Sequence, residues 1–176
     1  ALGSYEALLD DPDIDVIYIP LPNHLHAEWA IRAVQAGKHV LCEKPLALTT
    51  GEVEAMMEAS QASGKIIAEA FMYRHHPQTL KIQEMIAGGK IGQVRLVKGT
   101  FTYNLTRPDD VRLDSAMGGG SLWDVGCYPL SFVRMILNSE PEEVFGWQTT
   151  APSGIDDLFV DVPAVVPTLP VQADFA

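Results

Sequence analysis

Short runs of strand-forming residues alternate with helical segments through the first half of the chain, and only a few residues link one to the next. Val16-Ile17-Tyr18-Ile19 is followed by His26 to Ala36, where Ala27, Ala30, Ile31 and Val34 recur at helical spacing. Gly37 suits the left-handed position after that helix, and Lys38 to Cys42 reads as a second strand. Thr49-Thr50-Gly51-Glu52 fits a capping box that opens a helix to about Ser63, ended by Gly64; Lys65 to Ala70 then reads as a third strand. Upstream, Ser4 is placed to cap a short helix to about Leu9. Strands joined by helical crossovers lie parallel, and such crossovers are right-handed. These strands are apolar throughout, which predicts a sheet covered on both faces. Ligands of such sheets gather beyond the carboxyl ends of the strands. Here those ends are Pro20 to His26, Glu43 to Pro45, and Phe71 to His76.

The rhythm then changes. Pro77 fits the first turn of a helix running to Ala87, stopped by Gly88-Gly89. Gln93 to Tyr103, with its β-branched and aromatic residues, predicts an antiparallel strand. Thr106 to Gly120 reads as loop, followed by a helix over about Leu122 to Leu137 and a strand over Val144 to Thr149. From about Ala151, with Pro152, Pro163, Pro167 and Pro170, no element is predicted. A domain boundary is placed near Arg74 to Pro77.

The 176 residues carry 12 Lys and Arg against 23 Asp and Glu, a net charge of −11. Nucleic-acid binding needs a basic face, so this balance argues against it, although a small anion needs only a few N–H groups or one lysine. The longest apolar runs, such as Val16 to Pro22, are too short for the roughly 30 Å of a bilayer core. No basic stretch with an apolar core opens the chain, so neither a membrane span nor a signal peptide is predicted. Cys42 and Cys127 lie far apart without a Cys-x-x-Cys pair, which predicts free thiols and a cytoplasmic location. Ala1 is followed almost at once by a helix, so the natural N-terminus is expected to lie upstream.

Four constellations carry chemistry. Glu43-Lys44-Pro45 follows a strand directly, and Pro45 biases Lys44 toward extended geometry. An ammonium at that edge can hydrogen-bond a substrate hydroxyl or carbonyl; a solvated turn with Lys44 paired to Glu43 is the alternative. Pro20-Leu21-Pro22-Asn23-His24-Leu25-His26 leads into a helix, with Asn23 or His24 available as N-cap and N–H groups offered to a polar ligand. A capped helix with surface histidines is the plainer reading of that loop. A metal site from His24, His26, His75 and His76 is the remotest, since no partner at metal-site spacing accompanies them, and no metal is expected.

In Gly118-Gly119-Gly120-Ser121-Leu122-Trp123-Asp124-Val125-Gly126-Cys127-Tyr128-Pro129, the glycines allow close backbone approach and Ser121 can start a helix. A helix there puts Asp124 and Tyr128 on one face. A phenol has a free pKa of about 10, and an ammonium such as Lys44 beside Tyr128 is expected to lower it and so make a usable proton donor and acceptor. Alternatively Trp123 and Tyr128 are core residues of an amphipathic helix. Arg74, at the third strand end, suits a carboxylate, hydroxyls or phosphate, or else a salt bridge between domains.

In this order the motifs resemble the glucose–fructose oxidoreductase, inositol dehydrogenase and rhizopine catabolism family of nicotinamide-dependent oxidoreductases. The resemblance rests on Pro-Asn-His-Leu-His at 22–26, Glu-Lys-Pro at 43–45, Tyr-Arg at 73–74 and the segment 118–129, and covers about residues 4–150. It implies an α/β fold. Residues 1–75 would be the C-terminal part of a Rossmann-type dinucleotide-binding domain with a parallel sheet. Residues 76–176 would be part of an α+β domain with a mostly antiparallel sheet, for substrate and oligomerisation. It implies that Lys44 holds the reacting oxygen, Tyr128 exchanges the proton and Asp124 orients or anchors the substrate, with Trp123 beside it. Pro22, Asn23, His26, Glu43, Lys44 and Arg74 would line the nicotinamide end of NAD or NADP.

Tyr128, where many relatives carry His, looks like the subgroup of dihydrodiol and xylose dehydrogenases. The reaction implied is hydride transfer between nicotinamide and the carbinol carbon of a sugar, polyol or cyclic diol. A homo-oligomer through the open sheet is expected from the same resemblance. The family's first strand and Gly-x-Gly-x-x-Gly loop would precede residue 1, which leaves NAD versus NADP open. The rival readings are a dinucleotide-binding sensor without catalysis and an inactive truncated chain.

Overall fold

The computed structural model describes residues 2–164. Helix α1 spans Tyr5–Asp10, with the Ser4 hydroxyl accepting from the Ala7 N–H as its cap. Strands β1 (Val16–Ile19), β2 (His39–Cys42) and β3 (Ile67–Glu69) alternate with helices α2 (His26–Gln35) and α3 (Thr50–Ser63). The capping box closes as predicted: Thr49 Oγ1 accepts from the Glu52 N–H, and the Glu52 carboxylate accepts from the Thr49 N–H. Gly37 and Gly64 take the left-handed conformation at the two helix ends.

The three strands are parallel with β2 in the middle, Val16 opposite His39 and Val40 opposite Ile67. Ile17, Ile19, Val40 and Cys42 meet Ala30, Ala33 and Val34 of α2 and Met56 of α3. Leu8 and Leu9 of α1 pack against the same core. The expectation of cover on both faces is corrected here. Successive residues of a strand point to opposite faces, and Val16, Tyr18 and Leu41, on the face away from this core, are exposed.

Helix α4 runs over Pro77–Ala87 with Pro77 in its first turn and Gly88 at its end. The predicted strand over Gln93 to Tyr103 is not formed. The segment has no ladder partner among the described residues, where β4 (Glu143–Thr150) pairs antiparallel with β5 (Asp156–Ala164). It lies across an apolar cavity of about 960 Å³ from Pro129, Leu130 and Val133 and from Leu158 to Val160. Strand β5 falls in the stretch for which no element is predicted; its Pro163 sits near the end of the hairpin, where a missing N–H is tolerated. The tail with Pro167 and Pro170 lies outside the described residues.

The expected helix from Leu122 splits into a π-helical turn, Leu122–Gly126, and helix α5, Cys127–Leu137. No helix among the described residues is long and apolar enough to cross a membrane. Cys42 and Cys127 are both free thiols.

Candidate active site

The loops after β1, β2 and β3 emerge at the carboxyl edge of the parallel sheet, and the chain's second half returns to cover that edge. Asn23 does not cap α2. Its side-chain amide instead donates to the Gly118 carbonyl at 2.8 Å, tying the first strand-end loop to the glycine segment. Gly120 has φ +122°, and a Cβ there would come within 2.1 Å of an Asp156 carboxylate oxygen. The other Asp156 oxygen accepts from Ser121 Oγ at 2.6 Å and from the Leu122 N–H at 2.7 Å. Glycine is therefore required where β5 anchors the start of the π-helical turn.

That turn brings Asp124 to Lys44, eighty residues upstream. Lys44 Nζ lies 3.1 Å from Asp124 Oδ1 and also donates to the Asp124 main-chain carbonyl. Arg112 Nε donates to Asp124 Oδ1 at 3.0 Å, and the Tyr103 hydroxyl donates to Oδ2. Burial alone would raise the Asp124 carboxyl, but the hydrogen bonds from Tyr103, Lys44 and Arg112 and the Lys44 charge outweigh it and hold the group below its ordinary value. Burial and the same carboxylate push the Tyr103 phenol up to about 12. Tyr103 and Arg112 carry no signal in the sequence, since only the fold joins their loops to Asp124. Asp110 steadies Arg112 from the other side at 3.0 Å.

Tyr128 stands on the first turn of α5 with its ring packed against Phe71 (centroids 5.3 Å apart) and Phe101 (5.4 Å). The Lys44 ammonium lies 5.2 Å from that ring's centroid. The expected lowering of its pKa is corrected: burial is the largest influence and raises the Tyr128 phenol, helped by Cys127, Glu43 and Asp124. The Lys44 charge is taken up by Asp124 and does not reverse this. A cavity of about 460 Å³ opens over the group, lined by Lys44, Tyr103, Arg112, Asp124, Val125 and Tyr128 among others.

The remaining sequence candidates divide. Pro22 stands on the same edge as Lys44, just before the short 3₁₀ turn Asn23–Leu25. Glu43 accepts from the Tyr18 hydroxyl at 2.5 Å, and Arg74 donates to Ser131 Oγ at 3.3 Å. His26 stands behind that edge. It is fully buried, and its two ring nitrogens lie 2.7 Å from the carbonyl oxygens of Pro45 and Leu21. Its place was legible, because it shares the apolar stripe of α2 with Ala30 and Ala33. The π-helical turn directs Asp124 and Val125 into the cavity and leaves Trp123 off its lining. Among the described residues, no three His, Cys, Asp or Glu side chains converge as a metal site would require.

A family model described as an oxidoreductase family with an NAD-binding Rossmann fold matches residues 1–71, and the C-terminal domain model of the same family matches residues 79–164. A D-xylose 1-dehydrogenase (NADP(+)) of Haloferax volcanii is 44% identical over 89% of this chain and 48% of its own length. A trans-1,2-dihydrobenzene-1,2-diol dehydrogenase of Xenopus laevis is 37% identical over 89% of this chain and 48% of its own. Among solved structures, the aldose–aldose oxidoreductase of Caulobacter crescentus, complexed with glycerol, superposes with TM-score 0.82 at 33% identity, over 88% of this chain and 48% of that one. The chain thus spans about half the length of the relatives it matches. Its Rossmann-type sheet, its second unit and both matches agree: the chain belongs to the GFO/IDH/MocA oxidoreductase family.

Proposed function

We propose that this chain carries the reaction centre of an NAD(P)-dependent oxidoreductase that interconverts a carbinol and a carbonyl on a sugar or cyclic diol. The observation that carries the reading is the meeting of the Lys44 ammonium with the Tyr128 ring, 5.2 Å from its centroid, at one cavity. A partly buried ammonium at the carboxyl edge of a parallel sheet fits the nicotinamide end of a dinucleotide, and Pro22 and Lys44 are the residues that would stand against it. When bound, the nicotinamide supplies the site that takes or gives the hydride.

The Lys44 ammonium donates a hydrogen bond to the substrate oxygen and favours negative charge developing there. Tyr128 takes the hydroxyl proton in oxidation and returns one in reduction. Burial raises its pKa, so the phenol carries its proton and is poised as a donor to the substrate oxygen. Asp124, held by Arg112 and Tyr103, keeps Lys44 at the cavity wall. Domain roles follow from the same reading: residues 1–75 for the cofactor, residues 76–176 for the substrate and for contact with a second copy. Asn104, Thr106 and Asp110 on the cavity wall suit a ligand with several hydroxyls.

The test is turnover of the complete gene product with aldoses and cyclic dihydrodiols, followed by nicotinamide absorbance. Lys44→Met and Tyr128→Phe are each expected to lower kcat about 10²- to 10⁴-fold. Unchanged rates in both variants would refute the proposal, and cofactor binding without turnover of any substrate would favour a sensor.

A further inference from the structure

One peptide unit next to Lys44 is held from both sides, by a buried and a half-buried side chain, an arrangement no motif announces. The Pro45 carbonyl faces His26 Nδ1 at 2.7 Å, and the Leu46 N–H, the other polar end of the same peptide, donates to Glu69 Oε1 at 2.8 Å. His26 is fully buried and its Nε2 is fixed in turn on the Leu21 carbonyl. Glu69 is half-buried at the end of β3, and desolvation raises its carboxyl despite Arg74, Arg134 and His26 nearby. Three strand ends are thereby joined through one peptide: Leu21 after β1, Pro45 after β2 and Glu69 at the end of β3.

We propose that His26 and Glu69 are positioning residues that clamp the Pro45–Leu46 peptide and so set where the Lys44 ammonium stands. The argument is one of torsions. The pyrrolidine ring fixes φ of Pro45. Fixing its carbonyl and the next N–H fixes its ψ, so the backbone beside Lys44 has no soft dihedral left on that side. The Lys44 stem then leaves a rigid mount rather than a mobile loop. A displacement near 1 Å at a reacting group costs about 10²-fold in rate. The clamp accounts for a buried histidine and a half-buried glutamate that the proton-transfer reading leaves unused, and it rests on that reading only for its catalytic consequence.

Asparagine and glutamine separate the clamp from general stability. Asn in place of His26 puts an amide donor where Nδ1 was and keeps the Pro45 bond. Gln puts it where Nε2 was and keeps the Leu21 bond instead. Each variant keeps one of the two ring-nitrogen contacts and gives up the other, so the two differ in whether the Pro45 carbonyl is held. The clamp predicts that His26→Gln and Glu69→Leu lower kcat about ten- to a hundredfold with little change in KM, while His26→Asn stays within a few-fold of wild type. Glu69→Gln, which retains the acceptor oxygen, is expected to recover most of the Glu69→Leu loss.

A second reading of the same variants needs no turnover. In the 176-residue chain, hydrogen exchange at the Leu46 amide and the rate of reductive methylation of Lys44 should rise in His26→Gln and Glu69→Leu but not in His26→Asn. Equal changes in His26→Asn and His26→Gln, in exchange and in methylation, would overturn the clamp whatever the enzyme's substrate. The predicted exchange pattern with no turnover in wild type would keep the clamp and sink the proposed function.

Discussion

In the first unit Ala30, Val34 and Met56 are sealed at 1% exposure or less, whereas every residue of β4 in the second unit is exposed. The two regions differ in how they close. Residues 5–69 form a sheet whose one covered face is filled by small and branched side chains from helices adjacent in sequence. Among the described residues, the second region has a hairpin whose Phe145 and Trp147 face solvent. The lesson concerns the site. The rigid unit supplies the mount for Lys44, while the open one supplies Asp124 and Tyr128 through a single π-helical turn pinned by Asp156.

Substitutions can break or sharpen this contrast. The largest stability effect is expected from Met56→Ala, which leaves a cavity in the closed core and should cost about 2–5 kcal/mol by chemical denaturation. Trp147→Ala, in the open hairpin, should shift it by no more than about 0.5 kcal/mol. Comparable costs for the two would erase the distinction. Next in size is Gly120→Ala, in which a Cβ collides with Asp156 at an unfavourable φ; about 1–3 kcal/mol is expected, with looser anchoring of the π-helical turn.

The smallest effect is electrostatic. The Asp124 pKa is lowered in the folded state, so its contribution is present above the unfolded value near 4 and is lost as pH falls through the folded value. Asp124→Asn should therefore cost about 1 kcal/mol or less at pH 7 once solvent screening is counted, and the gap to wild type should close below about pH 4. A gap that persists in acid would mean that packing rather than charge holds Asp124.

The sequence made the parallel sheet legible because local signals agreed: a capping box at Thr49, glycines at 37 and 64, and strands bounded by both. It hid β5 because Pro163 reads as a breaker unless the edge position is known. It misread Gln93 to Tyr103 because residue type favours a strand while pairing across the chain decides whether one forms. Lys44, Asp124 and Tyr128 could be singled out from their motifs. Tyr103, Arg112 and Glu69 could not, since each acts through a contact made only in three dimensions. The direction of the Tyr128 shift was missed for a similar reason. The ammonium that should have lowered it is already neutralised by a carboxylate that only the fold brings near.

The account stands or falls on Lys44 from one unit and Tyr128 from the other acting together on one oxygen. A double-mutant cycle on kcat, with Lys44→Met, Tyr128→Phe and the pair, measures that directly. Groups that act as a unit give non-additive losses, so the double variant should be little slower than the worse single one. A double variant whose loss is the product of the two single losses would show that the ammonium and the phenol work independently, and would contradict the account.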